Sequence, residues 1–145
     1  MSVNINGVTY NVMFEIKVLD TSHYEANIVG MLQGEQGALL TGQRVVDGSL
    51  YQEDGRLIVE MIEVDPNYRQ LGLYTLSVEY ILATYKTLPV RANLLESYLF
   101  DTWRRLGATV SPYSEICYYD QEPVTVNGAI AWVQGDDVRT SSHTT

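Results

Sequence analysis

The residue types best suited to chemistry lie between Leu57 and Lys86, in the string LIVEMIEVDPNYRQLGLYTLSVEYILATYK. Asn67-Tyr68-Arg69-Gln70-Leu71-Gly72 is a polar segment with a glycine at the mouth of a predicted helix. Glycine lets a backbone come close to a ligand. The N–H groups of a helix's first turn have no partner within the helix, so together they attract an anion. Arg69 adds a cation beside them. Glu60 and Glu63 are the second feature, two carboxylates inside an otherwise apolar run. An ionised side chain in such a run is costly unless it is paired, solvated or protonated. Three residues apart, they fall on opposite faces of a strand.

The elements that must position these groups are legible on either side. Leu57 to Val64 is apolar and β-branched, bounded by Gly55 and by Asp65-Pro66, which predicts a buried strand. Tyr74, Val78, Ile81, Leu82 and Tyr85 follow the spacing of one helical face, which predicts a helix from Tyr74. Thr87-Leu88-Pro89 ends it.

Length and composition bound the rest. The 145 residues are enough for one domain with a sizeable core. No apolar run reaches the ~18 residues of a membrane span, and no leader peptide is visible. A single cysteine, Cys117, excludes a disulfide framework, and with His23 and His143 far apart in sequence no metal centre is expected. These features fit a cytoplasmic protein with no membrane association.

The net charge is −9, unevenly spread. Residues 69–105 hold five basic and three acidic side chains, a balance of +2; the remainder holds four basic and fifteen acidic, a balance of −11. Contact of that remainder with a nucleic-acid backbone is disfavoured, because phosphates need cations. A cationic partner is favoured, although acidic surfaces also serve solubility alone.

Along the chain, residues 8–19 alternate as a half-buried strand, with a hairpin at Asn6-Gly7. Tyr24–Leu32 predicts a second strand and 34–37 a turn. Ala38–Val46 predicts a third strand, and Asp47-Gly48 opens a polar connection to Gly55. The strand from Leu57 is then the fourth and Val90–Leu94 the fifth. Glu96-Ser97 offers an N-cap to a short helix with Leu99, Trp103 and Leu106 on one face and Gly107 as its stop. Ser114–Asp120 and Ala129–Gln134 predict two final strands.

Two strings carry a family resemblance. Val64-Asp65-Pro66 followed by Arg69-Gln70-Leu71-Gly72-Leu73-Tyr74 resembles motif A of the GNAT superfamily of acyl-CoA-dependent N-acetyltransferases, a strand ending V-x-P and a turn R/Q-x-x-G-x-G/A that opens a helix. Phe100-Asp101-Thr102-Trp103-Arg104-Arg105-Leu106-Gly107-Ala108 resembles motif B, in order and at the expected separation. The resemblance covers residues 56–134 and implies an α+β fold. Its centre would be a mixed, mostly antiparallel sheet of about seven strands, splayed between the fourth and fifth, with helices on its faces. It implies a single domain over 1–138, with 139–145 a flexible tail. The N-terminal third departs from the pattern. Family members place one or two helices between their first two strands, and here either a helix lies within 20–32 or the acceptor side is reduced.

The resemblance also implies roles. Acetyl-CoA would be the co-substrate, with no metal. Its pyrophosphate would lie on the backbone of Gln70, Leu71, Gly72, Leu73, Tyr74 and Thr75, with Arg69 alongside. Tyr74 stands where the family has a small residue. Backbone groups of Ile62 and Val64 would pair with the pantetheine and polarise the thioester, with Asn93 close by. Glu60 or Glu63 would be the general base, Glu60 sharing the face on which the family's strand carboxylate commonly lies. The family's acid is a tyrosine in the motif B helix, at the place of Trp103, and indole has no proton to give at useful pH. Tyr98 is the nearest substitute in sequence, with Tyr113, Tyr118 and Tyr119 further off.

The function expected is acetyl transfer to a primary amine on a cationic small molecule or protein. The alternative is a GNAT-fold binding or structural module without catalysis. An acidic decoy of a basic protein rests on charge alone. A homodimer through an exposed last hairpin is compatible with the sequence.

Overall fold

The computed structural model describes residues 1–20, 24–86, 88–95, 99–106, 108–111 and 129–133. Eight strands and two helices lie among them: β1 (Ser2–Ile5), β2 (Val8–Asp20), β3 (Glu25–Gln33), β4 (Arg44–Glu53), β5 (Arg56–Val64), α1 (Leu73–Thr84), β6 (Val90–Leu95), α2 (Phe100–Arg105), β7 (Thr109–Ser111) and β8 (Ala129–Val133). The chain forms two compact units, Met1–Leu50 with Met61–Ile81, and Tyr51–Glu60 with Leu82–Thr145.

In the first unit β1, β2 and β3 form an antiparallel meander that continues into β4. Asn6 and Gly7 both have positive φ, the requirement of the two-residue turn that joins β1 to β2. Even positions in the middle of β2 and along β3 face inward: Tyr10, Val12, Ala26, Ile28 and Leu32 are buried, while Val8 and Val18 near the ends of β2 are exposed. Leu73, Ser77, Val78 and Ile81 of α1 are buried as well. Leu73 and Leu76 join Val3, Tyr10, Val12, Leu32, Val45 and Val46 in one apolar cluster. Buried Ser77 is satisfied locally, its hydroxyl donating to the Tyr74 carbonyl at 2.7 Å.

In the second unit β5 and β6 run parallel, and β6–β8 and β7–β8 are antiparallel. The β5–β6 ladder holds three pairs, Leu57–Val90, Ile58–Arg91 and Val59–Ala92. Both strands continue past it, β5 to Val64 and β6 to Leu95. Trp103 of α2 is fully buried. The sheet is thus mixed and mostly antiparallel, as expected, with eight strands described rather than about seven.

Three expectations are corrected. Residues 38–43 are not strand but consecutive tight turns, in which Ala38, Thr41 and Gln43 donate N–H bonds to the carbonyls three residues back. Leu39 there is 95% exposed, so its apolar character misled the pattern. Asp47-Gly48 lies inside β4 rather than in a connection. A Cβ on Gly48 would come within 2.6 Å of the Met61 carbonyl oxygen, so this glycine marks backbone approach and not a turn. The turn is Asp54-Gly55, both with positive φ. Residues 25–33 form β3, in keeping with the strand expected over Tyr24–Leu32, and no helix lies among them. The α2 N-cap is Leu99, with no side-chain cap bond. Thr109–Ser111 adds a strand that was not anticipated. Ser97, Gly107, the strand at 114–120, Cys117, His23, His143 and the 139–145 tail lie outside the described residues.

Candidate functional site

The turn between β5 and α1 lies wholly in the first unit. At the end of β5 the Asp65 N–H donates to the Val45 carbonyl at 2.9 Å, fixing where the strand stops. Asp65 caps the 3₁₀ turn Pro66–Tyr68, its Oδ1 accepting from the Asn67 N–H at 2.9 Å. Proline suits the opening of that turn because its missing donor is not needed there. Two residues then take left-handed backbone, Gln70 at φ 66° and Gly72 at φ 80°. They swing the chain into α1, whose first helical bond runs from the Leu76 N–H to the Gly72 carbonyl at 3.1 Å.

That bond makes Gly72 the N-cap, a cap without a side chain. The first turn of α1 holds no acidic residue. Gly72 is exposed, and a Cβ there would meet nothing within 4 Å. No side chain of residue 72 therefore covers the start of α1. Arg69 and Gln70 are exposed, while Leu71 is half-buried and packs on the apolar cluster. Leu73 is buried and Thr75 half-buried, so these two contribute through backbone. The residues present fit a coenzyme pyrophosphate.

Tyr74 is half-buried. Val78, Ile81 and Leu82 of the expected face are buried, with Leu73 and Ser77 beside them, while Tyr74 and Tyr85 at its two ends are half-buried. Tyr74 sits at the margin of the core rather than within it. Ile62 and Val64 are half-buried against the same apolar cluster. Their neighbour Glu63 is exposed.

The second unit holds the other carboxylate. Glu60 is exposed on β5. Counting from the Asp54-Gly55 turn, Tyr51 on β4 stands opposite Ile58, and Ile58 pairs with Arg91 on β6. Tyr51 is half-buried, and burial raises its phenol above the ordinary value. The negative charges of Glu53 and then Glu60 push it the same way, and Arg91 opposes them. Tyr51 is therefore a phenol that holds its proton beside Glu60. Sequence reading missed it because 47–55 was taken for a connection; the Asp-Gly dipeptide at 54–55 was the available signal. Asn93 falls at the irregularity between Asn93 and Leu95 in the β6–β8 ladder. Trp103, at the place of the family's tyrosine, is a core side chain. Tyr98 lies outside the described residues.

No protein-family model matches the chain, and no curated protein matches it in sequence. Among solved structures the chain is similar to one assigned to the GNAT family of acetyltransferases, from Bacteroides thetaiotaomicron, at 15% identity and a TM-score of 0.51. That match covers 80% of this chain and 64% of the other, so the chain spans less than two thirds of that protein's length. A second similar structure is a nourseothricin acetyltransferase, at 15% identity and a TM-score of 0.47, covering 90% of this chain and 86% of the other. The fold is that of GNAT acetyltransferases. No helix among the described residues is long and apolar enough to cross a membrane.

Proposed function

We propose that the chain is an N-acetyltransferase that takes its acyl group from acetyl-CoA and passes it to a primary amine on a cationic small molecule or protein. The observation that carries this reading is the uncapped start of α1. Gly72 puts no side chain over the first turn, Gln70 and Gly72 swing the chain into it, and exposed Arg69 supplies a positive charge next to it. A pyrophosphate is the anion that first-turn N–H donors suit.

Coenzyme A supplies an activated thioester. The chain's own residues then have two tasks. Backbone groups of Ile62 and Val64 orient and polarise the thioester carbonyl. Glu60 or Glu63, both exposed on β5, takes a proton from the acceptor ammonium, directly or through water. The neutral amine attacks the carbonyl carbon, the new C–N bond forms, the C–S bond breaks, and the thiolate leaves and is protonated. With Trp103 buried, that last proton comes from water or from another phenol. The acidic balance outside 69–105 favours a cationic acceptor. The half-buried Tyr74 at the mouth of α1 favours the second reading, a GNAT-fold binding module without turnover.

Thermal denaturation with free CoA and with acetyl-CoA separates these readings from a fold kept without its coenzyme. A ligand bound only to the folded state adds about 2.7 kcal/mol at a hundredfold excess over Kd. Stabilisation by both, with thiol release in the presence of an amine, is the expected result. Stabilisation without thiol release across a broad amine panel leaves the binding module. No stabilisation by millimolar CoA of either form overturns the acyl-CoA reading.

A further inference from the structure

The long strand β2 has two edges, and only one is paired along its length. On one side β3 covers it from Asn11 to Asp20. On the other side β1 covers only Val8 to Asn11, with one more bond from the Val12 N–H to the Met1 carbonyl at 3.1 Å. From Met13 to Leu19 no described strand lies on that side. Because Val12 points its N–H towards β1, the alternation of an antiparallel ladder directs the N–H and C=O groups of Phe14, Ile16 and Val18 to the same open edge. Unpaired edges of this kind recruit another strand unless they are blocked. There is no proline here, and exposed apolar side chains flank the stretch: Met13 is 50% exposed, Val18 56% and Leu19 56%.

The side chains specify which strand would fit. A second copy pairing antiparallel about a twofold axis must join residues whose numbers have a constant even sum, so that edge-facing groups meet one another. With the axis at Ile16, Phe14 opposes Val18 of the second copy, Ile16 opposes Ile16, and Glu15 opposes Lys17. Met13 comes opposite Leu19. Apolar meets apolar, and both charges meet their opposite. An axis at Glu15 places two glutamates face to face, and an axis at Lys17 two lysines, an arrangement that destabilises a sheet. Glu15 and Lys17 are exposed, and neither has an ion-pair partner among the described residues. The bulge between Val18 and Asp20 and the bond from the Val12 N–H to the Met1 carbonyl close the two ends of the paired stretch.

We infer that the Met13–Leu19 edge of β2 is a self-association surface, and that two copies of the chain join there as an antiparallel, twofold-symmetric pair centred on Ile16. Three facing pairs of edge groups give about six main-chain hydrogen bonds, two per pair. Two Glu15–Lys17 pairs fix the register.

Sedimentation equilibrium over a micromolar to millimolar series tests this. The wild-type chain is expected to show a concentration-dependent dimer. Glu15→Lys and Lys17→Glu, each alone, should be monomeric with unchanged circular dichroism and melting. The double variant Glu15→Lys/Lys17→Glu should recover the dimer. An equimolar mixture of the two single variants should form a heterodimer, because the all-basic edge of one then faces the all-acidic edge of the other. A wild-type chain that stays monomeric throughout overturns the inference. So does a single variant that dimerises as well as wild type, or a mixture that stays monomeric.

Discussion

Phe14 on β2 stacks on Tyr80 on α1, with ring centroids 5.3 Å apart and planes inclined by 30°. The contact ties the helix that follows the motif A turn to the meander of the first unit. It depends on Gly30, which pairs with Phe14 across β2 and β3. A Cβ on Gly30 would lie 2.9 Å from Phe14 Cε1 and 3.1 Å from the Val46 Cβ. A double-mutant cycle with Phe14→Leu and Tyr80→Leu should give a coupling of about 1 kcal/mol in urea denaturation. Gly30→Ala should cost roughly 1–3 kcal/mol through overpacking. It should cost less in the Phe14→Leu background, where the clashing ring is gone. Equal costs in both backgrounds would show that the strain lies elsewhere.

Gly72 and Arg69 separate the two jobs of the turn. Gly72 has φ 80°, a conformation that costs a residue with a Cβ about 1–2 kcal/mol. Gly72→Ala should therefore melt earlier and also respond less to CoA. Arg69 is exposed, so Arg69→Ala should change stability by less than about 0.5 kcal/mol. Its CoA-induced stabilisation should nonetheless shrink, and more so at low salt, because the lost contact is electrostatic. Stabilisation by CoA equal to wild type in both variants would place the coenzyme away from this turn.

Tyr51 gives a pH dependence with a definite sign. Its phenol is raised above 10.0, so the folded chain holds that proton more firmly than the unfolded chain. The contribution to stability is complete below pH 10.0 and is lost as pH rises from there through the folded value. Tyr51→Phe should leave stability near neutrality little changed and flatten its decline above pH 10.0. Urea midpoints across the alkaline range measure this. A Glu53→Gln/Glu60→Gln variant should flatten the decline in part, since those charges add to the effect of burial.

The sequence disclosed most where a pattern had one cause. The strand Leu57–Val64, the helix after it and the Val-x-Pro turn each rest on local rules, and each stands within a residue or two. It disclosed least where one residue type serves two ends. Gly48 looks like a turn residue and is a close-approach residue, because the Met61 carbonyl leaves no room for a Cβ. Leu39 looks like core and is exposed, because the turns at 38–43 are set by hydrogen bonds three residues apart. Tyr51 was hidden by the same error, since a tyrosine read into a connection has no face. Tyr74 illustrates a finer limit. A period of 3.6 places a helix and the middle of its buried face, at Val78, Ile81 and Leu82, but not the edge of that face, where Tyr74 is half-buried.

The two carboxylates of β5 are the last distinction the structure sharpens. Both are exposed, so Glu60→Gln and Glu63→Gln should each shift stability by less than about 0.5 kcal/mol. Any loss of thiol release then reports chemistry rather than folding. Glu60 has charged and proton-holding neighbours in its own unit, since its field reaches Tyr51 and Arg91 acts on the same phenol. Glu60→Gln is accordingly expected to lower kcat by about 10²–10⁴-fold with little change in the acetyl-CoA KM. Glu63→Gln should retain most turnover. A large loss confined to Glu63→Gln would move the base to the other face of the strand. Undiminished turnover in both variants would mean that neither carboxylate takes the proton, leaving water as the acceptor.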